Sequence, residues 1–73
     1  MSEQSDEFGT VKFFKPELGY GFILPDHGDR DIYLHRKQIA NGAMMERGCR
    51  VKYELKKDVA RGSLWAKNVR LAV

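Results

Sequence analysis

The stretch Gly19-Tyr20-Gly21-Phe22-Ile23 decides how the rest of the chain is read. Successive side chains of a β-strand point to opposite faces, so Tyr20 and Phe22 share one face and Ile23 takes the other. Glycine packs nothing and costs backbone entropy in a strand. Gly19 and Gly21 therefore predict a close approach to the backbone here, with two rings standing beside bare positions. Asp31-Ile32-Tyr33-Leu34-His35-Arg36 alternates in the same way. Tyr33 and His35 share one face, and Ile32 and Leu34 share the other. If the two strands are neighbours, Ile23, Ile32 and Leu34 form an apolar underside, and Tyr20, Phe22, Tyr33 and His35 form a ring-bearing upper side. Small β-proteins ordinarily bury their rings. Both sides of this hairpin are apolar, however, and a chain of 73 residues has little material to cover two faces. The ring side also carries the flanking basic residues, and it is expected to stay open as a platform for planar ligands.

Working outward, Thr10 to Lys15 reads as a first strand, rich in β-formers. Pro16 to Gly19 has turn chemistry, Tyr20 to Leu24 is the second strand, and Pro25 to Asp29 is a strong turn. Arg30 to Arg36 is the third strand of this meander. Lys37 to Gly48 is irregular, with a turn at Asn41-Gly42 and room for one helical turn over Ala43 to Arg47. Cys49 to Lys57 reads as a fourth strand, in which Val51, Tyr53 and Leu55 alternate with Lys52, Glu54 and Lys56, one face buried and one wet. Asp58 to Gly62 is a loop. Ser63 to Leu71 is a fifth strand, with Trp65, Val69 and Leu71 at even spacing. Five short strands, tight turns and no long helix predict an all-β barrel that closes to remove its edges.

The length fits one small domain. Residues 1–7 read as a flexible acidic tail, and residues 8–73 as the folded domain. No run of about 18 apolar residues suggests a membrane span, and the start of the chain lacks a secretory layout. Cys49 is the single cysteine, so no disulfide forms within the chain, and Cys49, His27 and His35 are too scattered for a metal site. A cytoplasmic location is the default expectation. The net charge is +3, and Glu3, Asp6 and Glu7 stand in a tail without Lys or Arg, leaving +6 on residues 8–73. Beside an aromatic platform, that excess points to a polyanion such as nucleic acid.

Gly9-Thr10-Val11-Lys12-Phe13-Phe14, then Gly19-Tyr20-Gly21-Phe22-Ile23, then Asp31-Ile32-Tyr33-Leu34-His35 resemble the cold-shock domain family. The second and third segments are similar to its two RNA-binding motifs. The likeness covers residues 9–39 closely and continues more loosely through Arg47-Gly48 and Ala66-Lys67-Asn68-Val69. It implies a five-stranded antiparallel OB-type barrel that binds single-stranded RNA or DNA. It also implies the work of an RNA chaperone or of a regulator of transcription or translation. No metal site or acid–base pair is legible in the sequence, so neither cofactor nor catalysis is expected. By the same resemblance, Lys12 and Phe13 match a binding pair on the first strand. Tyr20, Phe22, Tyr33 and His35 match stacking residues, and Asp31 matches a base-contacting position. Plain alternation instead puts Phe13 on the face of Val11, so either a bulge turns Phe13 outward or Phe14 supplies the ring.

The chain departs from the family pattern in places. Phe13 stands where the family usually has Trp, Leu18 where it usually has Lys, and Arg36 where it usually has an aromatic. A guanidinium plane can also stack on a base. The loop from Ile39 to Gly48 lacks the family's usual aromatic. Arg30 and Lys37 are further candidates for phosphate contact. Trp65 reads equally as core or as the rim of the binding face. His35 has no nucleophile or carboxylate partner near it in sequence, so it reads as a base contact rather than a catalytic base. Met44-Met45 is expected to cover one barrel end, Cys49 to pack as a small apolar group, and Lys56-Lys57 to be solvated. A protein-interaction module on the same barrel is the alternative function, and a monomer the default state.

Overall fold

Lys12 is one residue too many for its strand, and that excess sets which rings face outward. In the computed structural model, which describes residues 6–42 and 44–72, the strands are β1 (Glu7–Lys15), β2 (Tyr20–Pro25), β3 (Ile32–His35), β4 (Arg50–Asp58) and β5 (Ser63–Leu71). Val11 pairs with Ile23 but Phe13 pairs with Phe22, so β1 bulges at Lys12. Val11 is left inside at 1% exposure and Phe13 is turned outward, while Phe14 packs against the core. The bulge therefore resolves the two readings of the first strand in favour of Phe13.

The strands close into a barrel in the order β1-β2-β3-β5-β4. Neighbours run antiparallel except at the closure, where β3 and β5 are parallel with Tyr33 opposite Trp65. An isolated bridge, Ile39 to Val69, extends that seam. The core consists of Val11, Ile23, Ile32, Leu34, Met45, Val51, Tyr53, Ala66 and Val69. The aliphatic underside expected for the hairpin is thus the barrel interior.

Gly21 faces that interior, and the expectation of a bare place for a ligand is corrected there. A Cβ at Gly21 would strike the Phe13 carbonyl and sit 2.8 Å from the Phe14 Cα. What approaches the glycine is the bulged backbone of β1. Gly19 answers a different need: with φ of 75° it ends the turn after β1, and its N–H donates to the Lys15 carbonyl at 2.7 Å.

A second bulge breaks the even spacing read into β5. Lys52 pairs with Arg70 and Glu54 with Lys67, so Asn68 and Val69 together oppose Tyr53. Asn68 adopts φ of 55°, a conformation asparagine tolerates better than most residues. Ala66 and Val69 therefore both point inward, Trp65 points outward, and Leu71 is exposed. Leu55, expected inside, is exposed near the far end of β4. Glu7, placed in the tail by sequence, opens β1 opposite Tyr53.

The connection after β3 forms 3-10 turns at Arg36–Gln38 and Ala40–Gly42, and the helical turn expected over Ala43 to Arg47 is absent from its described residues 44–47. Met45 is buried in the core cluster, whereas Met44 is exposed. Cys49 is half-buried against the core. Of the predicted tail, residues 1–5 lie outside the described residues. No helix among the described residues is long and apolar enough to cross a membrane.

One exposed ion pair and one buried phenol have shifted acidities. Arg50 donates two hydrogen bonds of 2.7 Å to the Asp26 carboxylate and a third, of 2.9 Å, to Thr10. That bidentate bond holds the Asp26 carboxyl below its ordinary range. Tyr53 is sealed in the core, and burial, with the Glu7 and Asp26 carboxylates adding to it, pushes its phenol from 10 up to about 12. Below pH 10 the phenol is neutral in both folded and unfolded chains. Between about pH 10 and 12 the unfolded chain releases its proton first, so stability falls across that window. Tyr53→Phe is expected to flatten this alkaline loss in denaturant melts. An equal loss in the variant would remove Tyr53 as its source.

Candidate nucleic-acid interface

The register that pairs the strands also lines up their outward rings. One cross-strand row runs Phe13–Phe22–Tyr33 over β1, β2 and β3, and a second runs Lys15–Tyr20–His35. Phe13 and Phe22 centroids lie 5.6 Å apart, and Phe22 and Tyr33 5.8 Å, both edge-to-face. Tyr20 stacks on Tyr33 at 6.1 Å and 25°, and meets Phe13 and Phe22 edge-on at 6.3 Å. His35 tilts against Tyr33 at 6.3 Å. The five rings form one continuous patch outside the core. Tyr33 is 37% exposed, and Phe13, Tyr20, Phe22 and His35 are half-buried.

Local bonds fix the rim. The Lys37 backbone N–H donates to His35 Nδ1 at 3.1 Å, which caps the following 3-10 turn. That bond places the neutral imidazole's proton on Nε2, leaving a donor free. Lys12 Nζ donates to Asp31 at 2.8 Å across the strand between them. Both partners are exposed, so the pair holds itself only weakly and a ligand can part it. The Lys15 ammonium stands 5.8 Å from the Phe13 ring centre. Arg36 is exposed, its N–H donates to the Gly19 carbonyl at 2.9 Å, and its stem lies against Gly19.

Beside the rings, between β3 and β5, lies a groove of about 820 Å³. Tyr33, His35 and Trp65 line it, with the cations Arg30, Lys37 and Arg61. Arg30 reaches across to donate to the Gly62 carbonyl at 2.9 Å. Trp65 is half-buried on this outer wall and lies outside the core. The structure thus brings together Lys12, Phe13, Tyr20, Phe22, Asp31, Tyr33 and His35, with Arg30, Lys37 and Trp65 along the groove and Arg36 at the turn by Gly19.

Sequence reasoning missed Lys15 and Arg61. Lys15 was findable, since it lies two residues beyond Phe13 on the same strand face. Arg61 was not. Its place depends on the Asp58–Gly62 turn, where Gly62 N–H donates to the Asp58 carbonyl at 2.7 Å, and no strand periodicity extends there. Among the described residues no three His, Cys, Asp or Glu side chains gather as a metal site.

The model of the 'Cold-shock' DNA-binding domain family matches residues 7–72. The chain belongs to the cold-shock domain family. As a cold-shock domain it is a nucleic-acid-binding protein. The domain is 38% identical over 63 residues to "Probable cold shock protein y4cH" of Sinorhizobium fredii, covering 84% of this chain and 91% of that one. It is 36% identical over 66 residues to "Cold shock protein CspA" of Rhizobium meliloti, covering 88% of this chain and 96% of that one. Among solved structures, "drosophila Unr CSD456" shares the fold at a TM-score of 0.80 and 15% identity, over 96% of this domain and 28% of that chain.

Proposed function

We propose that this cold-shock domain binds single-stranded RNA or DNA, laying unpaired bases on Phe13, Tyr20, Phe22, Tyr33 and His35. Lys12, Arg30, Arg36 and Lys37 take the phosphates, and Asp31 accepts from a base edge. The observation that carries this reading is that the five rings form one continuous patch outside the core. Open rings stack on the faces of unpaired bases, and a duplex keeps those faces inside its own stack.

Rings accept any base, so sequence preference is modest and exchange is fast. Such binding keeps RNA open, which suits an RNA chaperone or a regulator of transcription or translation. The chain acts by binding alone, as a monomer in the cytoplasm.

The test is a titration with oligo-U, oligo-T and a matched hairpin at two salt concentrations. Each phosphate neutralised on a single strand contributes a slope of about −0.7 to log K against log salt. With three or four cations engaged, a slope of about −2 to −3 is expected, with the hairpin bound much more weakly. Equal affinity for hairpin and open strand, or a slope near zero, would remove the single-strand reading. Saturable capture of a protein by the same face, with no oligonucleotide bound, would favour the interaction module.

A further inference from the structure

The row Phe13–Phe22–Tyr33 does not stop at β3. Tyr33 is paired across the parallel closure with Trp65, and Trp65 with Lys56 of β4. A fourth ring thus stands in the same cross-strand row. Its neighbours Leu64 and Ala66 face the core, so Trp65 contributes its ring to the outside of the barrel. The first three rings touch each other, but Trp65 packs against no other ring among the described residues. Tyr33 and Trp65 both line the groove of about 820 Å³, a size ordinary for a ligand site. Three cations line that groove against two carboxylates, Asp31 and Asp58. Asp31 is already engaged by Lys12 and Asp58 by the Arg61 backbone N–H.

We propose that a further nucleobase seat lies between Tyr33 and Trp65, so that a bound strand continues past the ring patch and across the β3–β5 seam. A base inserted there meets an aromatic wall on each side, and its flanking phosphates meet Arg30, Lys37 and Arg61. Arg36 lays its stem against Gly19 and does not line the groove, so its guanidinium leaves the space before Trp65 open. This inference rests on the single-strand reading and lengthens its footprint.

The experiment uses the full chain with labelled oligo-U of about four and about eight nucleotides, lengths at the short end and middle of the range for such barrels. Trp65→Leu keeps apolar bulk and removes the ring, and Trp65→Phe keeps a ring. The longer oligonucleotide is expected to bind Trp65→Leu roughly 5- to 150-fold more weakly, and Trp65→Phe less than about 5-fold more weakly. The shorter one should respond less. In the native chain, a photoreactive 5-bromouracil oligonucleotide is expected to cross-link to Trp65, the single tryptophan. That measurement stands even if a variant fails to fold. Unchanged affinity of Trp65→Leu, or cross-links that avoid Trp65 while Phe22→Ala still weakens binding, would overturn the seat and leave the ring patch. A native chain that binds neither oligonucleotide would overturn both.

Discussion

Phe22→Ala is expected to weaken single-strand binding by about 1–3 kcal/mol, roughly 5- to 150-fold, while the fold survives. Phe22 touches Phe13, Tyr20 and Tyr33 and lines the groove, so its loss opens the centre of the patch rather than an edge. It is absent from the core cluster, and truncating it leaves no sealed cavity. Anisotropy titrations with oligo-U, paired with a thermal melt, separate the two effects. Native affinity in a variant that melts normally would show that bases do not rest on this ring.

One residue earlier the expectation reverses. Gly21→Ala is expected to destabilise the domain by about 3 kcal/mol or more, because the added methyl meets fixed backbone rather than a side chain that can turn away. The obstruction is the Phe13 carbonyl and the Phe14 Cα at 2.8 Å. Relief requires β1 and β2 to part at the bulge that orients Phe13. A denaturant melt measures the loss, and a melt within about 0.5 kcal/mol of the native one would mean the strands part easily. At two adjacent positions, then, one substitution removes binding from a folded chain and the other removes the fold that presents the binding face.

These two positions also show what was legible in the sequence. Simple alternation placed Tyr20, Phe22, Tyr33 and His35 on one face and Ile23, Ile32 and Leu34 on the other, because β2 and β3 pair without irregularity. It failed where the register shifts. Nothing in Val11-Lys12-Phe13-Phe14 by itself reveals that Lys12 is the extra residue, since the bulge is defined against β2. The same holds at Asn68, which breaks the even spacing of Trp65, Val69 and Leu71 and turns Trp65 outward. Gly21 was noticed as a place of close approach, but sequence could not say that the approaching group was the chain itself. Leu55 misled although its alternation is regular: its cross-strand partner Ala66 is in the core, yet Leu55 itself is exposed. The groove was invisible because its two walls, β3 and β5, are distant in sequence and meet only on closure.

That closure has a mechanical consequence. β3 and β5 meet through the Tyr33–Trp65 pairing and the separate Ile39–Val69 bridge, while every other junction is a longer antiparallel ladder. Staves joined by so few bonds are where a cask gapes first, since local opening follows the sparsest backbone bonding. A guest wedged between Tyr33 and Trp65 would act as a strut over that join. Loading the domain would then tighten its weakest hoop, and release of cargo and breathing of the wall would become a single event.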